Sequence, residues 1–225
     1  MDPSTSAATT EELAMFPLGL ALLPGQLLPL HVFEPRYRTM MTDVLARSDR
    51  ESVPASFGVA LIERGSETGG GDLRSMTATR AVILQMGRTD DGRYALMCIG
   101  TERLRVAEWR PDDPYPQALV AGWPDTDLDE PDDVVLPEGR LDDLTARVRR
   151  AGALALELGD DVASPAQPLV DDPRTRLHQL AAMSPLGLAD RQALLEAPGA
   201  AARLALFEEL LEVAEDVLRF RLGSA

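Results

Sequence analysis

From Leu13 to Phe33 the chain runs 21 residues without a formal charge, long enough by hydropathy alone to cross a bilayer. Pro17, Pro24 and Pro29, together with Gly19 and Gly25, interrupt it. Proline removes an amide donor and clashes with the preceding turn, so a continuous helix is excluded and short strands joined by turns are the remaining solution. Phe16 to Leu20 and Leu27 to Phe33 are such strands, with Pro24-Gly25 turning the chain between them. Phe57 to Ile62, Thr79 to Met86, Tyr94 to Ile99, Leu104 to Trp109 and Ala118 to Trp123 continue the series, with partial alternation and β-branched residues. Asp91-Gly92 is a hairpin turn between two of them. One helix interrupts the strands: Pro35 suits a first turn, and Tyr37, Met41, Val44 and Leu45 share a face that ends near Arg47.

Beyond Pro137 the apolar period becomes helical. Leu141, Leu144, Val148, Ala151, Ala155 and Leu158 recur at three and four residues, and Asp172-Pro173 reads as a cap and first turn for a helix through Leu177, Leu180 and Ala181. A short helix covers about Ala189 to Glu196, and Pro198-Gly199 separates it from a last one striped by Leu204, Phe207, Leu211, Ala214 and Leu218. That stripe reads as a packing face, since a helix in a small domain must bury one side. Between the two halves, Asp112 to Asp133 carries eight acidic residues, four prolines and no basic residue. Its part after Trp123 reads as a solvated linker, because the ordered spacing of a calcium loop is missing. The first dozen residues are polar and read as a mobile tail without a secretory n-region.

Composition excludes more than it assigns. All 22 basic residues are Arg, against 37 acidic ones, and the formal charge is −15. Without a single Lys there can be no P-loop, Schiff base or Ser/Lys dyad. One Cys and two His cannot supply a protein zinc site, and nothing in the chain implies a cofactor. The acidic balance disfavours nucleic acid and anionic membranes as partners. Gly69-Gly70-Gly71 is followed by neither Lys nor a helix pattern and reads as a flexible loop between strands. A lone thiol and the absence of an export signal point to a cytoplasmic protein, and Arg-rich, Lys- and Asn-free usage points to a GC-rich bacterial genome.

The run FPLGLALLPGQLLPLHVFEPRYRTMM, Phe16 to Met41, resembles the opening of the Lon protease N-terminal (substrate-binding) domain family, with its Pro-rich pair of strands followed by F-E-P-R-Y. Supporting segments follow in that family's order: Phe57-Gly58-Val59, Thr79, Asp91-Gly92-Arg93, Gly100-Thr101-Glu102-Arg103 with Val106, Pro114-Tyr115, and the closing SPLGLADRQALLEAPGAAARL from Ser184 to Leu204. The resemblance implies an α+β fold, a PUA-like β pseudo-barrel over residues 13–124 after a tail at 1–12, an acidic linker at 125–136 and a helical subdomain at 137–222. It further implies recognition of polypeptide segments. Full Lon proteases continue into ATPase and protease modules, and neither fits in a chain this short without Lys, so a stand-alone binding domain is expected rather than an enzyme.

Within that expectation Phe33, Tyr37 and Met41 are the substrate-contacting candidates, and Glu34, Pro35, Arg36 and Arg103 form a structural motif. Glu34 and Arg36 flank Pro35 at a strand–helix junction, where paired charges fix geometry more readily than they perform acid–base work. His31 reads as a satisfied barrel histidine, and Cys98, without a neighbouring cation, as a buried inert thiol. Met40, Met41, Met76, Met86 and Met97 suit either an adaptable surface or a core. Unfolded or apolar polypeptide segments are the expected partners, with a separate ATP-dependent protease as a second possibility. The alternatives are an adaptor docking through the last helix and a small-molecule enzyme using Glu34 or His31.

Overall fold

A computed structural model describes residues 10–65 and 72–223; the glycine run at 69–71 and the first nine residues of the expected tail lie outside the described residues. The chain divides into two compact units, one up to Leu22 and from Leu27 to Trp123, the other Leu23–Gln26 with everything from Pro124 onward.

The first unit has strands β1 (Thr10–Leu18), β2 (Leu27–Val32), β3 (Ser56–Arg64), β4 (Leu73–Arg88), β5 (Tyr94–Trp109) and β6 (Gln117–Gly122), with helix α1 (Pro35–Glu51) between β2 and β3. They form one mixed sheet in the order β2-β5-β4-β3-β1-β6, and β5 also pairs with β6, so five strands close a ring and β2 hangs on the outside of β5. Only β1 and β3 run parallel, in register Met15 with Gly58. Closure explains why the two short runs Tyr94 to Ile99 and Leu104 to Trp109 are one strand. β5 gives its first half to β2 and its second to β6, bending through register shifts against β4 and β6.

Alternation then sorts two cores. Leu13 and Met15 of β1 join Ala60, Ala78, Leu104, Val106, Ala118 and Val120, so all five ring strands feed one cluster. Phe16 and Leu18 face the other way and pack with Phe57, Val59, Leu96 and Cys98 beneath Tyr37, Met40, Met41 and Val44 of α1. Gly58 is required by this arrangement, since a Cβ there would collide with the Met15 thioether. Thr10, Glu11 and Glu12, read above as tail, are the start of β1 and pair with Ala121, Val120 and Leu119 of β6. Ladder partners more than a hundred residues away order a segment whose own composition is polar.

The second unit is helical: α2 (Asp132–Val135), α3 (Glu138–Glu157), α4 (Pro173–Met183), α5 (Leu188–Glu196) and α6 (Ala200–Gly223). Asp172 caps α4 by accepting from the Thr175 amide at 2.8 Å. Leu204, Phe207, Leu211 and Leu218 of α6 are buried with Leu141, Leu144, Val148, Leu177 and Leu180. Arg140 with Glu208, and Arg147 with Glu215, tie α3 to α6 at matched seven-residue steps. The acidic segment, expected as a solvated linker, is exposed at Leu128 to Pro131 and at Asp133, but three of its acids are engaged. Asp125 holds Arg203, which is fully buried, at 2.6 Å; Arg174 bridges Asp127 at 2.9 Å and Asp132 at 2.7 Å. Asp127 also accepts from the Ala200 and Ala201 amides and so caps α6. Burial pushes its carboxyl upward, but the two amides and Arg174 prevail and hold it below the ordinary carboxylate range. The matching arginines lie 42 to 78 residues downstream, beyond the reach of a local reading of charge.

Candidate functional site

β2 alternates strictly. Leu28, Leu30 and Val32 point into the core, while Leu27, Pro29 and His31 point out. Its register with β5 sets Leu27 beside Ile99, Pro29 beside Met97 and His31 beside Ala95. β5 in turn sets Ile99 beside Val82, Met97 beside Gln85 and Ala95 beside Gly87 of β4. These three rows carry no formally charged side chain. Leu27 is 48% exposed, and the register shift between Ile83 and Gln85 leaves Leu84 53% exposed alongside. Among the described strands β2 is the one paired on a single side, so its outer edge retains backbone donors and acceptors that no strand satisfies. Pro29 is tolerated there because an edge strand needs only half its ladder.

The chain leaves β2 through Phe33, 57% exposed, and enters α1 at Pro35. Glu34 precedes the helix in extended conformation, makes no side-chain cap, and pairs with Arg36 at 3.1 Å. The Arg36 guanidinium lies 4.5 Å from the centroid of the Tyr37 ring, and Tyr37 stacks on Phe16 at 4.1 Å. Glu34, Pro35 and Arg36 thus meet as one junction that clamps the start of α1 to β1. Arg103 is elsewhere in the unit, buried with its guanidinium 4.6 Å from the Trp123 centroid.

The structure divides the three candidate contact residues. Phe33 is on the surface, but Tyr37 is 3% exposed and Met41 is fully buried, so neither touches a ligand while the fold is intact. Helical phase is the reason: positions 37 and 41 are one turn apart on the face of α1 that covers the sheet. Burial raises the Tyr37 hydroxyl to about 12. His31 is also a correction, since it lies on the outward face of β2 and not inside the barrel. Cys98 is buried in the core and burial alone pushes its thiol up to about 11, so it is mostly protonated at neutral pH. The methionines separate as well: Met40 and Met41 are core, Met76 and Met86 are exposed, and Met97 is half-buried on the outward face.

Leu27, Pro29, Leu84 and Ile99 were not among the residues the sequence singled out. The alternation of LLPLHVF carried part of that signal, because every second residue from Leu27 must face away once Leu28 faces the core. The partners on β4 and β5 depend on register and had no local signal.

Comparison with known proteins agrees with this architecture. The chain is similar to the Lon N-terminal domain protein from Xanthomonas campestris over 90% of its own length and 98% of that structure, with 27% identity and a TM-score of 0.58. The N-terminal domain of the Mycobacterium avium complex Lon protease shares the fold at 18% identity and a TM-score of 0.55, again over 90% and 98% of the two chains. A Lon protease of Desulfosudis oleivorans is 32% identical over 123 residues, 52% of this chain and 14% of the relative, so the chain spans a small part of that protein's length. Residues 12–213 match the substrate-binding domain of ATP-dependent protease La (LON), and the chain belongs to that family.

Proposed function

We propose that this protein binds exposed apolar segments of polypeptides on the outward face of β2, β5 and β4, as a stand-alone domain without ATPase or protease activity of its own. One observation carries the reading: an uncharged, apolar surface around Leu27, Pro29 and Phe33 borders a strand with a free edge. An extended segment can pair its backbone with β2 while alternate side chains lie on the apolar face. Affinity comes from apolar burial and backbone hydrogen bonds, and the entropy of ordering the captured chain opposes it, so broad specificity is expected. The absence of Lys supports the part about activity, because neither a P-loop nor a Ser/Lys dyad can be built from these residues. Action in the cytoplasm fits a lone buried thiol.

The test is fluorescence anisotropy with a labelled, permanently unfolded polypeptide and its folded counterpart. Binding of the unfolded form alone, weakened by Leu27→Ala and Phe33→Ala at unchanged thermal stability, supports the reading. Equal affinity for both forms, or no effect of either substitution, overturns it. A second reading, docking onto a separate ATP-dependent protease, is favoured by Val213 and Val217 exposed one turn apart on α6. Val217→Asp should then remove a stoichiometric partner; Leu211 cannot serve, because it is core. An enzyme built on Glu34 and His31 has less support, since Glu34 is committed to Arg36 and His31 faces outward without an acid or nucleophile bonded to it among the described residues.

A further inference from the structure

In a chain with a formal charge of −15, guanidinium groups are expected to find carboxylates, and Arg36, Arg47, Arg74, Arg80 and Arg110 of the β unit do. Among the described residues Arg38, Arg64, Arg88 and Arg105 make no ion pair. Arg105 stacks on Trp123 at 4.1 Å from the ring centroid, and Arg64 ends β3. Arg38 and Arg88 instead share one pocket of about 420 Å³, lined also by Thr39, Thr42, Asp43 and Tyr94. It lies where the first half of α1 meets the adjoining ends of β4 and β5, on the helix-covered side of the sheet and away from the outward rows of β2.

Packing holds the donors in place. Arg38 passes directly beneath Gly92, where a Cβ would collide with its guanidinium, and Gly92 at φ +80° permits both the turn and this passage. Arg88 lies over the Tyr94 ring at 5.5 Å from its centroid. Tyr94 is 5% exposed; its hydroxyl has no hydrogen-bond partner among the described residues and is not closed off from solvent. The Thr39 and Thr42 hydroxyls donate to the Pro35 and Arg38 carbonyls, one turn back in α1, so the free donors are the two guanidinium groups and the phenol. The acids nearby are engaged. Asp43 accepts from the Tyr115 hydroxyl at 2.9 Å. Asp91 feels the charge of Arg38, but its oxygens accept from the Thr89 hydroxyl and the Arg93 amide and pair with Arg93 at 2.9 Å.

The donor set selects the anion. One bidentate arginine satisfies both oxygens of a planar carboxylate, which would leave the second guanidinium and the phenol idle. A phosphoryl group offers three terminal oxygens, one for each guanidinium and one for the Tyr94 hydroxyl. Its charge of about −1.5 to −2 at neutral pH also answers two cations beside one aspartate. The volume falls within the range of small-molecule sites, about 300–1,000 Å³, so a small body attached to that group fits as well. We propose that the Arg38–Arg88 pocket binds a phosphate group, free or carried on a small ester, between the two guanidinium groups with the Tyr94 hydroxyl donating to it. The site is separate from the polypeptide-binding face and does not depend on that reading.

The test titrates the full chain with inorganic phosphate, glycerol 3-phosphate and acetate at low ionic strength, followed by two-dimensional amide NMR. Saturable shifts centred on Arg38, Arg88, Gly92 and Tyr94 are expected with both phosphates, and acetate should bind at least about tenfold more weakly. A chain of this net charge repels anions in general, so saturation at one place is not the product of non-specific attraction. Arg88→Gln, at an exposed position, and Arg38→Gln should each weaken phosphate about tenfold and Tyr94→Phe about threefold, while Arg64→Gln, exposed at the end of β3, leaves it unchanged. The amide spectrum of each variant shows whether the fold is retained, and if Arg38→Gln unfolds, the exposed Arg88 variant decides. Tighter binding of glycerol 3-phosphate assigns the pocket to phosphate esters, and equal affinity assigns it to the phosphate group alone. Shifts that do not saturate, acetate binding as tightly as phosphate, unchanged affinity in Arg88→Gln, or an equal loss in Arg64→Gln overturns the phosphate site. None of these outcomes touches polypeptide capture, which the Leu27 and Phe33 substitutions test separately.

Discussion

The two units differ in where they leave charge out. In the helical unit, acidic residues that look solvated are engaged by arginines: Asp125, Asp127 and Asp132 bind Arg174 and Arg203, and Asp127 caps α6. The β unit keeps charge off three outward rows of β2, β5 and β4, leaving Leu27, Pro29, Phe33 and Leu84 open beside a strand edge that no described strand pairs. Buried, matched charge is a specification of structure, because a carboxylate taken from water survives only with its partners in place. An exposed apolar face adds nothing to the stability of the free protein, and such a face is the usual mark of an interaction surface. The contrast sets the arginine–aspartate cluster of one unit against the open apolar rows of the other.

Substitutions can break that comparison, and the largest effect belongs to Arg203. Arg203→Met leaves Asp125 with a weaker contact to Arg174 at 3.4 Å and is expected to destabilise the chain by about 3–5 kcal/mol, read from urea unfolding. A loss below about 1 kcal/mol would mean that the ion pair is ornamental and the contrast overstated. Next comes Gly58→Ala, which forces Met15 out of its place in the barrel cluster; the overpacking should cost about 1–3 kcal/mol by the same measurement. It asks whether the β unit, in which a buried ion pair joins Arg74 to Asp72, is as tightly determined as the helical unit.

Asp127→Asn sharpens the comparison by pH. The folded carboxyl is held below its ordinary value, so its contribution is present in full above the unfolded pKa of about 3.9 and fades as pH falls through the lowered folded value. The variant should lose about 1 kcal/mol at neutral pH and show a flatter decline of melting temperature below about pH 4. Smaller still, Phe33→Ala should stay within about 0.5 kcal/mol of the parent while weakening polypeptide binding, a separation of stability from function that the helical charges would not show. Last, Cys98 in the folded protein should resist iodoacetamide at pH 8 and react only on unfolding, because its thiol is buried and raised to about 11.

Local chemistry carried much of the fold. Prolines in the uncharged opening excluded a membrane helix, and no described helix is long and apolar enough to cross a bilayer. Asp172-Pro173, Asp91-Gly92 and the stripe of α6 all announced themselves through caps, turns and period. The α+β architecture and the family were legible in F-E-P-R-Y and the segments that follow it, and the family match over residues 12–213 agrees. The candidate site was legible only at Phe33. Tyr37 and Met41 share its motif, but helical phase turns them under the sheet, and Leu84 and Ile99 join it only through register.

The amino-acid sequence by itself determined which segments could be strands or helices, and that lysine-dependent chemistry has no residue to use, because those are properties of neighbours and of composition. Tertiary structure decided that the two runs of β5 are one bent strand, that Thr10–Glu12 belong to the barrel, and that Asp125 and Asp127 are partly buried acids paired with arginines. Each of those outcomes depends on partners far along the chain. A carboxylate, a strand edge or an apolar side chain acquires its role from what closes around it, and that geometry exists only once the ring and the helices have formed.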